Sequence, residues 1–250
     1  SDIHAFNSIS VKDYQNAGAA GNIRILNVEN LEGGSGNDTI YGNESNNTLI
    51  GRDGTDTFRG AAGNDVIIGG IVLNTDLNGE ILTQTDTYID TVDYSYLIAD
   101  KGIIVNMNIA GENDSVLNKG RVEQDGYYNS DILYGIERII GSQYADQIIG
   151  DIDDEVNNTF EGNGGDDTLS GGSGSDLLDG GTSAQLLGDT ANYEYLDTTT
   201  NKIVVDLTLG SNQAVVYNGS TASTTDIDQL INIENINGSK NDDTITGDND

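Results

Sequence analysis

Aspartate recurs through this chain at a spacing that could hold cations. Nine units of nine residues start at Gly33, Gly42, Gly51, Gly60, Gly141, Gly150, Gly162, Gly171 and Gly238, the Gly150 copy carrying three extra residues. The sixth place is Asp in seven of them: Asp38, Asp56, Asp65, Asp146, Asp167, Asp176 and Asp243. It is Asn in the other two, Asn47 and Asn158. The eighth place is always apolar: Ile40, Leu49, Phe58, Ile67, Ile148, Phe160, Leu169, Leu178 and Ile245. Three positions held in phase this often mark a structural repeat.

The unit explains how such carboxylates would be positioned. Its Gly-rich half can turn tightly. The other half, as in Asp-Thr-Leu-Ser at 167–170, is a short strand whose one large apolar residue points inward. Two units then make a coil of eighteen residues with two strands and two turns. Coils stack about 4.8 Å apart. That sets Asp38 over Asp56, Asn47 over Asp65 and Asp146 over Asp167. Carboxylates about 5 Å apart repel, and turn carbonyls facing the same gap add negative dipole ends. A cation resolves the conflict. An oxygen donor set without His or Cys selects a hard ion, and a backbone cage suits Ca2+ better than Mg2+.

The tandem units GGSGNDTIY at Gly33 and GGSGSDLLD at Gly171 resemble the RTX nonapeptide, GGxGxDxUx, of bacterial secreted proteins. The resemblance implies an all-β fold, a right-handed parallel β-roll or β-helix solenoid with irregular strand excursions and hairpins. It implies several Ca2+ ions held between successive turns by carboxylates and carbonyls. Carried over, the carboxylates are Asp38, Asp56, Asp65, Asp146, Asp167, Asp176 and Asp243. The turn positions are Gly33, Ser35, Gly51, Asp53, Gly60, Ala62, Gly162, Gly164, Gly171 and Ser173. Asn47 and Asn158 depart from the pattern, so their sites are expected to be weaker or absent. The second Gly is replaced by Arg52 and Ala61 in two units; a carbonyl ligand needs no side chain, so binding there stays open.

A second, longer repeat overlies the first. Val28-Glu29, Ile136-Glu137 and Ile233-Glu234 each lead into a nonapeptide block. DTVDYSYL at Asp90 matches DTANYEYL at Asp189, and IIVNMNIAG at Ile103 matches IVVDLTLG at Ile203. Three units follow: 1–70, a lead-in strand and first block; 71–181, a strand excursion and second block; and 182–250, a third unit truncated in its block. Val92, Tyr94 and Tyr96 alternate, as do Ile103, Val105 and Met107, so these excursions contain strands with one buried face. Asn78-Gly79 signals a hairpin turn. The excursions are expected to project from the roll and to face partners.

Composition narrows the function. Net charge is −32, with 10 Lys and Arg against 42 Asp and Glu, which repels nucleic acid and anionic membrane surfaces. Low hydrophobic content, 35%, suits a thin solenoid and favours disorder when cations are absent. There is no Cys, and His4 is the only His, so a nucleophile–base pair has little material. GGSGS at 171–175 is better explained as a nonapeptide than as a nucleophile elbow. Asp151, Asp153, Asp154 and Glu155 form an acidic cluster that could bind an extra cation, but without the EF-hand pattern a solvated acidic loop is the favoured reading. No apolar run approaches the ~20 residues of a membrane helix. The chain starts at Ser1 and stops inside a repeat at Gly247–Asp250, and both ends read as cut from a longer protein.

The expectation is a non-enzymatic, calcium-binding structural segment of a secreted or cell-surface bacterial protein. A surface layer, filament or adhesin would use it as scaffold, folding on extracellular Ca2+. The resemblance also implies type I secretion. Expected partners are calcium, further copies or neighbouring repeats, and cell-surface polysaccharide, without nucleic acid or membrane insertion. The alternatives are the carboxy-terminal roll of an exported hydrolase, epimerase or toxin, and a polysaccharide-binding module using the tyrosines.

Overall fold

The computed structural model describes residues 8–10, 29–34, 36–70, 74–75, 81–82, 88–98, 101–108, 119–124, 129–152, 156–182, 187–196, 201–207, 213–218 and 221–247. They form strands and no helix. The first block carries β1 (Ser8–Ser10), β2 (Asn30–Glu32), β3 (Thr39–Tyr41), β4 (Thr48–Ile50), β5 (Thr57–Arg59) and β6 (Val66–Ile68). Next come β7 (Asn74–Thr75), β8 (Ile81–Leu82), β9 (Thr91–Asp93), β10 (Ile104–Asn106), β11 (Lys119–Gln124) and β12 (Asp131–Tyr134). The second block carries β13 (Arg138–Ile140), β14 (Gln147–Ile149), β15 (Thr159–Glu161), β16 (Thr168–Ser170) and β17 (Leu177–Asp179). Last are β18 (Thr190–Asn192), β19 (Asn201–Asp206), β20 (Gln213–Asn218), β21 (Thr221–Ile231), β22 (Asn235–Asn237) and β23 (Thr244–Thr246).

Successive nonapeptide strands alternate between two sheets. One sheet runs β1-β2-β4-β6-β12-β11-β10-β14-β16-β18-β22, and the other β23-β19-β20-β21-β17-β15-β13-β9-β5-β3. The eighteen-residue coil appears in the register, with Ile40 beside Phe58 and Leu49 beside Ile67 in parallel pairs. The inserted Gly150 copy keeps Phe160 beside Leu178. One apolar side chain per strand faces inward, because neighbours in a strand point to opposite faces. Leu49, Phe58, Ile67, Ile148, Leu169 and Leu178 are fully buried, whereas Ile245 on β23 is 45% exposed. Arginines on the outer faces tie adjacent coils: Arg52 to Glu32, Arg59 to Asp93 and Arg138 to Glu161.

The two excursions correct the expectation that these segments project. Each is a meander built into a sheet. β10, β11 and β12 pair antiparallel, with β12 parallel to β6 and β10 parallel to β14. β19, β20 and β21 do the same, with β21 parallel to β17 and β19 parallel to β23. The cause is the alternation itself: Val105, Val122, Leu133, Ile203 and Val205 are fully buried, and only a place in the sheet covers them. Apart from these, β7 and β8 pair antiparallel with Thr75 opposite Ile81. The Asn78-Gly79 turn between them lies outside the described residues.

The long repeats exchange sheets. β9, from the Asp90 segment, lies in the second sheet, and its match β18 lies in the first. The first meander puts β12, β11 and β10 between β6 and β14, while the facing sheet passes directly from β9 to β13. The second puts β21, β20 and β19 between β17 and β23, while the other sheet passes directly from β18 to β22. Two surplus strands on one side are thus followed by two on the other.

Candidate metal centres

The sixth-place residues form ladders along the two edges of the roll. Each rung is a main-chain N–H donating to the carboxylate one coil on. Asp38 N–H donates to Asp56 Oδ1 (2.7 Å), Asp56 N–H to Asp90 Oδ1 (2.7 Å) and Asp90 N–H to Glu137 Oε2 (3.0 Å). On the opposite edge Asn47 N–H donates to Asp65 Oδ1 (2.8 Å), and Asp65 N–H to Asp131 Oδ1 (2.9 Å). The second block repeats both ladders with the edges exchanged. Asp146 leads to Asp167 (2.7 Å), Asp189 (2.7 Å) and Glu234 (2.8 Å). Asn158 leads to Asp176 (2.8 Å) and Asp228 (3.0 Å). Asp243 receives Ile203 N–H (2.9 Å), as Asp146 receives Ile103 N–H (2.7 Å).

The turns that present these carboxylates fall into two classes. Turns starting at Gly51, Gly60, Gly162 and Gly171 have positive φ at the second place: Arg52 84°, Ala61 73°, Asn163 70° and Gly172 93°. Their fourth places, Gly54, Gly63, Gly165 and Gly174, lie between 117° and 121°. In the other class the second-place residue satisfies its own carboxylate or amide. Gly34 N–H donates to Asp38 Oδ2 (2.6 Å), and Asn43 N–H to Asn47 Oδ1 (2.8 Å). Ser142 gives Asp146 its N–H (2.6 Å) and its hydroxyl (2.7 Å), and the Ser239 hydroxyl reaches Asp243 (2.7 Å). Positive φ turns that N–H elsewhere: Arg52 N–H donates across the coil gap to Gly69 O (2.9 Å).

The chemistry follows. Asp167 Oδ2 is buried with no hydrogen-bond partner, a costly state for an ionised oxygen unless a cation meets it. A Cβ on Gly162 would overlap that oxygen, as one on Gly51, Gly60 or Gly171 would overlap the carboxylate of Asp56, Asp65 or Asp176. Glycine at the first place therefore keeps a cradle open beside each carboxylate. Burial pushes the Asp167 carboxyl up to about 8, and its neighbours Asp146 and Asp189 add repulsion. Burial likewise pushes Asp146 up to about 7, against the bonds from Ile103 and Ser142. A cation bound at Asp167 would reverse its shift. Among the described residues no three acidic or imidazole side chains converge on one point, so main-chain oxygens must supply much of any coordination shell. That donor set fits Ca2+.

The seven aspartates named from the sequence are therefore not alike. Asp56, Asp65, Asp167 and Asp176 lie in positive-φ turns, while Asp38, Asp146 and Asp243 accept donors from their own turns. The two asparagines also differ. Asn47 Oδ1 takes the Asn43 N–H, whereas Asn158 Oδ1 is buried with no hydrogen-bond partner and keeps a neutral oxygen available. Of the third places, Asp53 is exposed, Ala62 half-buried and Gly164 buried. Ser173 donates its N–H to Asp151 O (2.8 Å) and its hydroxyl to Ile152 O (2.8 Å). Ser35, His4, Asp153, Asp154 and Glu155 lie outside the described residues.

Six acids in the same ladders fall outside the nonapeptides: Asp90, Asp131, Asp189, Asp228, Glu137 and Glu234. The long repeat held the signal. Asp90 and Asp189 open its matched segments, and Glu137 and Glu234 are its Ile-Glu acids.

A family model described as RTX calcium-binding nonapeptide repeat (4 copies) matches residues 28–58, 131–156 and 154–183. No curated protein matches the chain.

Proposed function

Starting from a chain that carries RTX calcium-binding nonapeptide repeats, we propose that it is a structural segment of a secreted or cell-surface protein, ordered by extracellular calcium. Its role is scaffold: a surface layer, filament or adhesin gains stiffness from coils that stack only when their carboxylates are neutralised. Units 1–70, 71–181 and 182–250 act as long repeats that share both sheets rather than as separately folding domains. Asp56, Asp65, Asp167 and Asp176, with the carbonyls of their turns, hold the ions. The segment itself turns over no substrate.

The observation that carries this reading is the buried Asp167 Oδ2 without a hydrogen-bond partner, aimed past a glycine that leaves room beside it. Binding to the folded state alone adds RT ln(1 + [L]/Kd) per site. Extracellular calcium modules have Kd on the order of 10⁻⁴–10⁻³ M, so millimolar calcium outside a cell would fill such sites. Circular dichroism tests it: a chain stripped by chelator loses most of its β signal, and millimolar Ca2+ restores it. An unchanged β spectrum after verified removal of metal would refute the proposal.

A further inference from the structure

Two buried tyrosines meet the carboxylate ladders where the nonapeptides stop. Asp131 and Asp228 follow Asp65 and Asp176 as the last rungs of their ladders, each with Oδ1 taking the previous N–H. The second oxygen of each accepts a tyrosine hydroxyl: Tyr94 to Asp131 Oδ2 (3.0 Å) and Tyr193 to Asp228 Oδ2 (2.8 Å). All four residues are fully buried. The two arrangements arise at matching positions of the long repeat but on opposite edges, so the structure contains the same solution twice. The next tyrosine of each segment holds the second place of the last nonapeptide turn. Ala61 N–H donates to Tyr96 Oη (2.9 Å), and Tyr195 Oη donates to Gly172 O (2.6 Å).

We propose that Tyr94 and Tyr193 replace the cation on the last carboxylate of each block, so that the Tyr-x-Tyr segments close a calcium stack with a rung that needs no ion. The inference rests on the calcium reading above and deepens it. In the nonapeptide turns a carboxylate oxygen faces a cradle kept open by glycine, and Asp167 shows that oxygen without a donor. At the closing rung the hydroxyl is a fixed donor to the equivalent oxygen. A hydrogen bond to a charged group supplies part of what a cation would supply, without a dependence on concentration. The stack therefore has a defined end, and Tyr96 and Tyr195 fix the backbone of the last turn against it.

Substitutions in the whole chain separate the two kinds of rung. Asp131→Asn and Asp228→Asn keep an acceptor for the main-chain N–H and a polar partner for the tyrosine. Calcium bound per chain, measured by equilibrium dialysis with atomic emission, stays at the wild-type number in both, while Asp176→Asn loses bound calcium. Tyr193→Phe lowers Tm by roughly 3–12 °C, and the loss persists at saturating calcium. The loss shrinks when Tyr193→Phe is made in the Asp228→Asn background. A lost ion in either asparagine variant, or recovery of Tyr193→Phe at saturating calcium, would overturn the proposal. If Tyr193→Phe does not fold, the ion counts of the asparagine variants still decide it. A wild-type chain that binds no calcium would refute the parent reading instead, and the Tyr193–Asp228 coupling in melts would stand by itself.

Discussion

The turns at Gly141 and Gly162 are neighbours on one edge and carry the same sixth-place residue, yet their aspartates live differently. Asp146 accepts Ile103 N–H, Ser142 N–H and the Ser142 hydroxyl. Asp167 accepts Asp146 N–H on one oxygen and has no hydrogen-bond partner on the other. The difference lies at the second place, where Ser142 caps its own carboxylate and Asn163 adopts φ 70°. A nonapeptide can thus meet its carboxylate with donors from its own turn or leave an oxygen for a cation. Ser239 repeats the first solution for Asp243, so a Gly-Ser start marks the self-capped class.

The largest expected effect separates the apolar strip from both kinds of carboxylate. Leu178 is fully buried, and Leu178→Ala should cost about 2–5 kcal/mol through lost transfer energy and a cavity. Thermal melts should show that loss equally at low and saturating calcium. A loss that calcium reverses would mean that the coil is held by its ions more than by its core.

Next in size are the aspartates themselves. Asp167→Asn keeps an acceptor for the Asp146 N–H but removes a charged ligand worth about 1.5–3 kcal/mol, which raises the calcium midpoint of that site roughly ten- to a hundredfold. The effect should fade as calcium saturates. Asp146→Ala instead leaves the buried N–H groups of Ile103 and Ser142 without their acceptor, at about 1–3 kcal/mol, and calcium should not restore it. Equal calcium dependence in the two variants would erase the distinction between the classes. Asp179 makes a poor idle control, although it follows the inward Leu178 and faces out. Its Oδ1 accepts Gly181 N–H (3.1 Å) and the Asn232 amide (2.8 Å). Asp242, exposed at the fifth place of the Gly238 unit, serves better.

Protonation probes the same contrast with a smaller lever. Without calcium, burial raises the Asp167 carboxyl to about 8 and Asp146 to about 7, from an ordinary 3.8. The folded chain then binds more protons than the unfolded chain between those values, so its stability grows as pH falls. The contribution is complete below the unfolded value and is lost as pH rises through about 7 and then about 8. In chelator, β signal should increase from pH 8 to pH 5, and the calcium midpoint should rise over the same interval because protons compete for the ligands. A β signal that falls on acidification would show that these carboxylates are not what limits the calcium-free fold.

How much of this was legible depended on which contacts were periodic. The pairing of Asp38 with Asp56 and of Leu49 with Ile67 follows from an eighteen-residue repeat, because side-chain alternation and coil spacing fix both. The rung itself was hidden: in Asp146 N–H donating to Asp167 Oδ1 the donor is main chain, so residue type does not say which N–H the carboxylate meets. The ladders' continuation through Asp90 and Asp131 was hidden too, since those acids come from segments without nonapeptide rhythm. The excursions misled for a related reason. Val105 and Met107 showed a buried face, but whether it packs on its own hairpin or inside the roll is decided by register with β14, 43 residues away. Tyr94 and Tyr193 read as ordinary strand packing, and their hydroxyls find Asp131 and Asp228, 37 and 35 residues away, only through the tertiary fold.

The smallest effect bears most directly on the two turn classes. Ala61 holds φ 73°, where a Cβ crowds the following carbonyl at about 1–2 kcal/mol. Glycine there relieves that strain but gives the unfolded chain extra freedom worth about 0.4–1 kcal/mol. Ala61→Gly should therefore stabilise the chain by up to about 1.6 kcal/mol, or roughly 3–6 °C in Tm at most, and lower the calcium midpoint, because the turn reaches its ion-holding shape with less strain. Ala62, its neighbour, has no positive φ, so Ala62→Gly adds only the entropic loss and should destabilise. Melts of the two variants at one calcium concentration give opposite signs if positive φ at the second place is what defines the ion-holding turn. The same sign in both would mean that this backbone conformation is incidental, and that the sixth-place carboxylate alone sets where calcium binds.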